Sequence, residues 1–298
     1  MPKIVQTTPD TLRAYVFHGM SLDWEGRDEA VSDCPSCGRS DGKFTIRVSD
    51  GEFNCFICGF RGGHNRFIQW LWTESSKVCH PDSRAFADDR GLLYVDTLDH
   101  WGCCVSLLSG AWLIPGHNAD GAVNQLYKRI WATDRWELRP TPEVGGHSVH
   151  GVQLLDKKSE TVFLTEGPWD AMVLWESLRM AKRTERGLEF TANSAASLLA
   201  HASVLAVSNC GAVGEPMRRY LELFRGKRVV LCFDNDHPKQ LENGSLIDGA
   251  GLAATKRAAG ILSEVAKEVL WLRWSADGCD LTKLDGFDIR DVLTKEPA

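Results

Sequence analysis

The 298-residue chain is 43% hydrophobic, 25% charged and carries a net charge of −6. That bounds a globular protein with core enough for two or three compact units, and it excludes a global basic field, leaving only local basic grooves for nucleic acid. No apolar run approaches the ~20 residues of a membrane span, and the opening MPKIVQTTPD lacks the apolar core of a secretory leader.

The ten cysteines suggest a disulfide framework by number, but their spacing is that of metal ligands in a reducing cytoplasm. Cys34-Pro-Ser-Cys37 is followed, 17 residues on, by Cys55-Phe-Ile-Cys58. Two such knuckles predict one tetrahedral Zn²⁺ held by four thiolates, with no open position and so a structural role. Between them KFTIRVSDGEFNC reads as a hairpin turning at Ser49-Asp50-Gly51. His64 is read as a surface residue, and Cys79, Cys103, Cys104, Cys210, Cys232 and Cys279, without paired spacing, as core or incidental thiols. Arg47, Phe53, Phe56, Arg61 and Arg66 surround the ribbon with the cations and rings that suit single-stranded nucleic acid, although Phe53 is better placed in the ribbon's own core.

An amphipathic run with Phe67, Trp70 and Leu71 closes this first unit at residue 72, and the polar, aperiodic TESSKVCHPD is expected to be a linker over 73–82 that tethers a mobile ribbon. A middle unit follows over 83–156. It opens on a helix with a charged face that breaks at Gly91, then shows two strands, WLIP and AVNQLYKRI, around Asn118-Ala119-Asp120-Gly121. Lys128 and Arg129 are expected to close the second strand, where they can meet phosphates or simply be solvated.

The last unit, 157–298, carries the acids. Val162-Phe163-Leu164 reads as a buried parallel strand ending in Glu166-Gly167, and Asp170 falls in the first turn of the helix that follows, where the dipole favours negative charge. A second strand, KRVVLCFDND, delivers Asp234 and Asp236, which share a face by the two-residue repeat. Ligand sites in open α/β sheets gather at this edge, and acids collected there call for a hard divalent cation. Taken singly, each of these acids is equally well a cap or a solvated charge. KRTERGLEFTANSAASLLAHA reads as an insertion or extra helix, EPMRRYLELF as a helix, and HPKQLENGSLIDG as a polar insertion before Gly249-Ala250-Gly251.

The order E-G-x-x-D then D-x-D resembles the Toprim domain of bacterial-type primases, topoisomerases and some nucleases. RGL before a strand, and a strand ending in basic residues, resemble the basal subdomain that precedes Toprim in bacterial and phage primases. Zinc ribbon, linker, basal subdomain and Toprim in that order are similar to the primase family over nearly the whole chain. The fold class implied is α/β: a small β zinc ribbon joined to a catalytic core with a basal α+β subdomain and a Toprim α/β domain.

The resemblance implies a DNA primase of a bacterial or phage-infected cytoplasm, making RNA primers from ribonucleoside triphosphates on single-stranded DNA by metal-dependent nucleotidyl transfer. It implies Mg²⁺ or Mn²⁺ held by Asp234 and Asp236, with Asp170 assisting and Glu166 as general base or further ligand. Asp288 or Asp291 is a further metal-side carboxylate or, for Asp288, a helix N-cap, and Asp248 lies in the inserted stretch that departs from the family pattern. Lys128, Arg129 and Arg90 are the candidates for triphosphate or template phosphates. No GxxxxGK[ST] loop occurs, so a replicative helicase would be a separate partner. Two other readings stay open: a non-catalytic Toprim recombination-mediator scaffold, against which the ~100 residues between zinc site and Toprim count, and a Toprim nuclease. A type I topoisomerase, which needs a far larger chain, is discounted.

Overall fold

Alternation of apolar and polar residues in FTIR and FNC builds the first sheet of the computed structural model, which describes residues 8–78, 80, 82–183, 202–240, 244–272 and 285–294. Phe44, Ile46, Phe53 and Cys55 point inward, and Thr45, Arg47 and Asn54 outward. The chain divides into two units: Met1–His80 with Gly102–Gly116 and Val123–Gly146, and Pro81–Trp101 with His117–Ala122 and His147–Ala298.

In the first unit, helix α1 (Asp10–Phe17) precedes the antiparallel strands β1 (Glu29–Ser32), β2 (Phe44–Arg47), β3 (Phe53–Cys55) and β4 (Arg61–Gly62), paired in that order. Helix α2 (His64–Ser75) follows and buries Phe67, Ile68 and Leu71. Their core takes in Leu113, Val123, Leu126 and Val144 from the later strands β6 (Trp112–His117) and β7 (Val123–Ala132) and the loop after β8 (Arg135–Pro140); the short β5 (Cys104–Val105) pairs with β6. Hydrogen bonds tie the two parts: Gln69 Nε2 donates to the Val123 carbonyl at 3.2 Å, Trp72 Nε1 to Gly102 at 2.9 Å, and His18 Nε2 lies 2.9 Å from Thr141 Oγ1.

This departs from the expected tethered module. Residues 73–75 are the last turn of α2, and the ribbon shares its core with the basal strands. A ribbon of some 60 residues buries too little apolar surface to stand comfortably alone, and the aromatic face of α2 supplies the join.

The second unit starts with α3 (Ser83–Asp89), which ends at Gly91 in the left-handed region (φ 75°), and α4 (Asp96–His100). Its sheet runs β15 (Glu268–Trp271), β12 (Arg228–Cys232), β10 (Thr161–Thr165), β11 (Ala202–Val207), β9 (Val149–His150), parallel but for β9. Helix α5 (Pro168–Arg183) follows β10, and α6 (Ala250–Leu262) precedes β15. EPMRRYLELF, expected as an α-helix, is a 3₁₀ segment over Glu215–Phe224 with Pro216 in its first turn and Met217, Tyr220 and Phe224 buried. The inserted stretch before α6 holds a two-strand pair, β13 (Lys239–Gln240) with β14 (Leu246–Ile247). A short α7 (Ile289–Thr294) ends the described chain. Most of the expected insertion after α5, as well as Cys79 and Cys279, lies outside the described residues.

Candidate functional site

The two cysteine knuckles are built alike. In each, the N–H of a left-handed glycine returns to the first cysteine's carbonyl, Gly38 to Cys34 at 2.8 Å and Gly59 to Cys55 at 3.0 Å. Cys34 Sγ lies 3.8 Å from Cys58 Sγ and Cys37 Sγ 3.9 Å from Cys55 Sγ, and all four sulfurs fall within 4.8 Å of one another. A Zn–S bond of about 2.3 Å gives a tetrahedral edge of about 3.8 Å, so the donor set fits Zn²⁺. His64 is no ligand: its Nε2 pairs with the Thr11 carbonyl at 2.6 Å and its ring rests on Tyr15, so it is half-buried and not the surface residue expected. Phe53 packs in the aromatic core with Phe44 and Phe60, while Phe56 is 68% exposed beside Arg47, Asn54 and Arg61 on the outer face of the ribbon.

The parallel sheet of the second unit collects the acids. Glu166 follows β10, Asp170 lies in the first turn of α5, which Pro168 opens, and Asp234 and Asp236 follow β12, the register neighbour of β10. A backbone bridge then recruits the end of the chain: Asn235 N–H donates to Phe287 and Gly286 N–H to Asn235, both at 2.9 Å. Asp288 thereby arrives at the same edge, only 8% exposed. Two glycines let α6 approach: a Cβ on Gly249 would overlap the Asp236 carbonyl oxygen and one on Gly251 that of Asp234. The Gly251 N–H donates to Asp236 Oδ2 at 2.9 Å, so the helix N-terminus meets an acid.

Electrostatics confirm that these groups feel one another. Asp234 is pushed up to about 8, by burial first and then by Glu166, Asp170, Asp288 and Asp236. Asp170 is pushed up to about 7 by burial and by Asp288, against the pull of Arg290. Burial and Asp236 raise Glu166, opposed by the nearby Cys210 thiol and the Asp234 backbone N–H. Glu166 Oε2 is nevertheless buried without a hydrogen-bond partner. A buried carboxylate oxygen left so is unfavourable unless a cation or donor meets it, and the set therefore fits a divalent cation with oxygen ligands. Among the described residues no three acids converge as tightly as the four cysteines do.

Of the C-terminal acids, Asp288 caps α7, accepting the Asp291 N–H at 2.8 Å, and pairs with Arg290 at 3.0 Å. Its charge also acts on Asp170, raising the proton affinity there after burial has done so. Cap and electrostatic neighbour are thus one residue. Asp248 pairs with Lys256 at 2.6 Å toward solvent.

Arg90 stacks over Trp169 at 5.6 Å, one residue before Asp170, and pairs with Asp89 at 2.7 Å. Lys128 is buried: its Nζ donates to the Phe17 carbonyl at 2.5 Å, and burial lowers its pKa. Arg129 lies over Trp136 at 4.3 Å, and β7 continues past both basic residues to Ala132 instead of ending at them. Two site features escaped the sequence. Cys210 opens the turn after β11 beside Glu166, whose signal was only a strand ending at the same sheet edge. Glu176, 2% exposed on α5, accepts Leu93 N–H at 2.7 Å, Tyr94 N–H at 2.8 Å and Thr97 Oγ1 at 2.7 Å, fixing the segment that follows Arg90; a glutamate on the apolar face of a helix was the available signal.

No family model and no curated protein matches the chain. Solved structures similar to it are bacterial and phage DNA primases. The zinc-binding and RNA polymerase domains of the Aquifex aeolicus primase match at 13% identity and a TM-score of 0.48, covering 95% of this chain and 79% of that one. The primase fragment of the bacteriophage T7 primase-helicase matches at 16% and 0.42, covering 80% and 88%. The RNA polymerase domain of Mycobacterium tuberculosis primase DnaG matches at 16% and 0.46, covering 78% and 77%. With TM-scores below 0.5, function rests on the chain's own residues. No described helix is long and apolar enough to cross a membrane.

Proposed function

We propose that the chain is a DNA primase, joining ribonucleoside triphosphates into short RNA on a single-stranded DNA template. The observation that carries this is the set of acids gathered at one sheet edge, Asp170 and Asp288 buried and Glu166, Asp234 and Asp236 half-buried, with Glu166 Oε2 unpartnered, in a chain whose zinc ribbon exposes Phe56 among arginines and Asn54. Asp234, Asp236, Glu166 and Asp288 would hold Mg²⁺ or Mn²⁺, which when bound supplies charge neutralisation at the triphosphate and a more acidic 3′-hydroxyl.

The chain's own groups do the rest. Asp170, protonated or charged near neutral pH, sets the charge of the cluster. Glu166 would take the proton of the attacking hydroxyl, and burial among acids raises its proton affinity. Arg90, 5.6 Å over the Trp169 ring and paired with Asp89, would turn its remaining guanidinium N–H groups to phosphate near the start of α5. The exposed ribbon face would meet the template, with Phe56 stacking on a base and Arg47 and Arg61 on phosphates.

The test is primer synthesis from labelled ribonucleotides on single-stranded DNA of varied sequence with Mg²⁺ or Mn²⁺, beside an Asp234→Asn/Asp236→Asn variant. Short RNA from the wild type alone supports the reading. Degradation of the template instead, lost in the variant, would make the protein a nuclease and end it.

A further inference from the structure

Strand β7 is ten residues long against six in β6, so its distal end has β8 as its strand neighbour. The two join through Thr133 and Asp134, both with positive φ (48° and 60°), the backbone of a tight two-residue hairpin turn. The turn is braced from behind. Glu137 Oε1 accepts from Thr133 Oγ1 at 3.0 Å and from Arg135 at 3.2 Å, and Glu137 Oε2 pairs with Arg139 at 2.8 Å.

On the other face of this arm Trp131 stands directly opposite Trp136. Their ring centroids are 5.4 Å apart at 77°, and the Arg129 guanidinium lies 4.3 Å over the Trp136 ring. A cross-strand aromatic pair stabilises a hairpin, but that alone leaves the outer faces of both rings in water, with Trp131 58% and Trp136 52% exposed. Exposed indoles beside an arginine are the chemistry of base stacking with phosphate pairing. Charge favours the same occupant: the strand residues sharing this face, Tyr127, Arg129, Trp131, Trp136, Leu138 and Pro140, carry a cation and no acid, in a chain of net charge −6.

We infer that Trp131, Trp136 and Arg129 form a base-stacking platform for single-stranded DNA at the tip of this arm. It deepens the priming reading and rests on it for the strand that is bound. The platform would hold that strand by rings and one cation with no demand on sequence, since every base has a π-face.

The test uses the full chain and a fluorescein-labelled oligothymidylate, read by anisotropy, with a 5-bromouracil version for photocrosslinking and peptide mapping. A Trp131→Val/Trp136→Val variant keeps strand-forming residues but removes the rings, and a Trp131→Phe/Trp136→Phe variant keeps rings. The platform requires binding at least ~10-fold weaker in the valine variant, within ~3-fold of wild type in the phenylalanine variant, and crosslinks at 131 or 136. Arg129→Gln should lower the slope of log affinity against log salt by about 0.7. Equal binding by the valine variant with crosslinks elsewhere overturns the platform and leaves priming intact. Loss in both double variants without a crosslink at either position overturns it as well. A wild-type chain that binds no single strand overturns both readings together.

Discussion

The acid cluster makes a stability prediction that does not depend on catalysis. Asp234 has its proton affinity raised in the folded state, from 3.8 to about 8. Such a group stabilises the fold fully below its unfolded value, and that contribution is lost as pH rises toward the folded value. Stability without added divalent cation should therefore fall between about pH 4 and about pH 8. Taken alone, at ~1.4 kcal/mol per unit, the shift to about 8 sets a ceiling of about 6 kcal/mol. Asp234, Asp170 and Glu166 act on one another, so protonating one relieves the others and the three titrate as a unit. We expect about half the ceiling, roughly 2–3 kcal/mol between about pH 5 and about pH 8, or ~5–8 °C in Tm. Asp234→Asn, which carries no charge to lose, should flatten that slope and melt above wild type near pH 8. Added Mn²⁺ should raise the wild type there and leave the variant nearly unmoved. Thermal denaturation followed by circular dichroism measures all of this. A wild-type Tm that is level across the window, or a variant no more stable than wild type near pH 8, would refute the picture of acids crowded at a dry edge.

Three further outcomes follow from contacts around the two sites. Gly251→Ala places a Cβ on the Asp234 carbonyl oxygen and has to push α6 off the acids; primer synthesis should drop by ~100-fold or more while zinc content, measured by atomic absorption, stays at one per chain. Cys34→Ser removes a buried ligand from the four-cysteine set and should cost about 3 kcal/mol or more with loss of zinc. Because the ribbon core is continuous with Leu113, Val123 and Leu126, hydrogen exchange should rise in β6 and β7 too, and protection confined to those strands would contradict the shared core. Glu176→Ala strips three donors of their acceptor; a loss of about 3 kcal/mol in urea unfolding is expected, with Glu176→Gln recovering part of it.

What could be read from the sequence was what neighbours in the chain decide. The zinc knuckles are local, since four residues and a glycine complete each turn. Glu166, Asp170, Asp234 and Asp236 were visible for the same reason, as strand ends and a helix start within a few residues. The placement of Lys128 was not, because its environment is set by the Phe17 carbonyl, 111 positions away. Nor was the dual part of Asp288, which depends on Asn235 pairing with Phe287 across the sheet edge. Helix α2 shows its apolar face in Phe67, Ile68 and Leu71, yet periodicity says only that a face is buried and not against what. A linker was therefore expected where the chain in fact continues a helix and a core.

The inserted stretch between Asp236 and Gly249 shows how a local departure can leave a site intact. By sequence it cast doubt on any functional acid between Asp236 and Gly249, Asp248 included. In the fold its ends come back together, with Lys239 opposite Ile247 and Gln240 opposite Leu246, so the extra residues leave and return at nearly one point. The close approaches of Gly249 to Asp236 and Gly251 to Asp234 are then made much as a short turn would make them. Only glycine tolerates such contact. The position of α6 against the acids is set by those two contacts and by the Gly251 N–H on Asp236, not by the length of chain between them. Shortening the β13–β14 pair should therefore leave the acid cluster in place, whereas a single methyl group on Gly251 should disturb it.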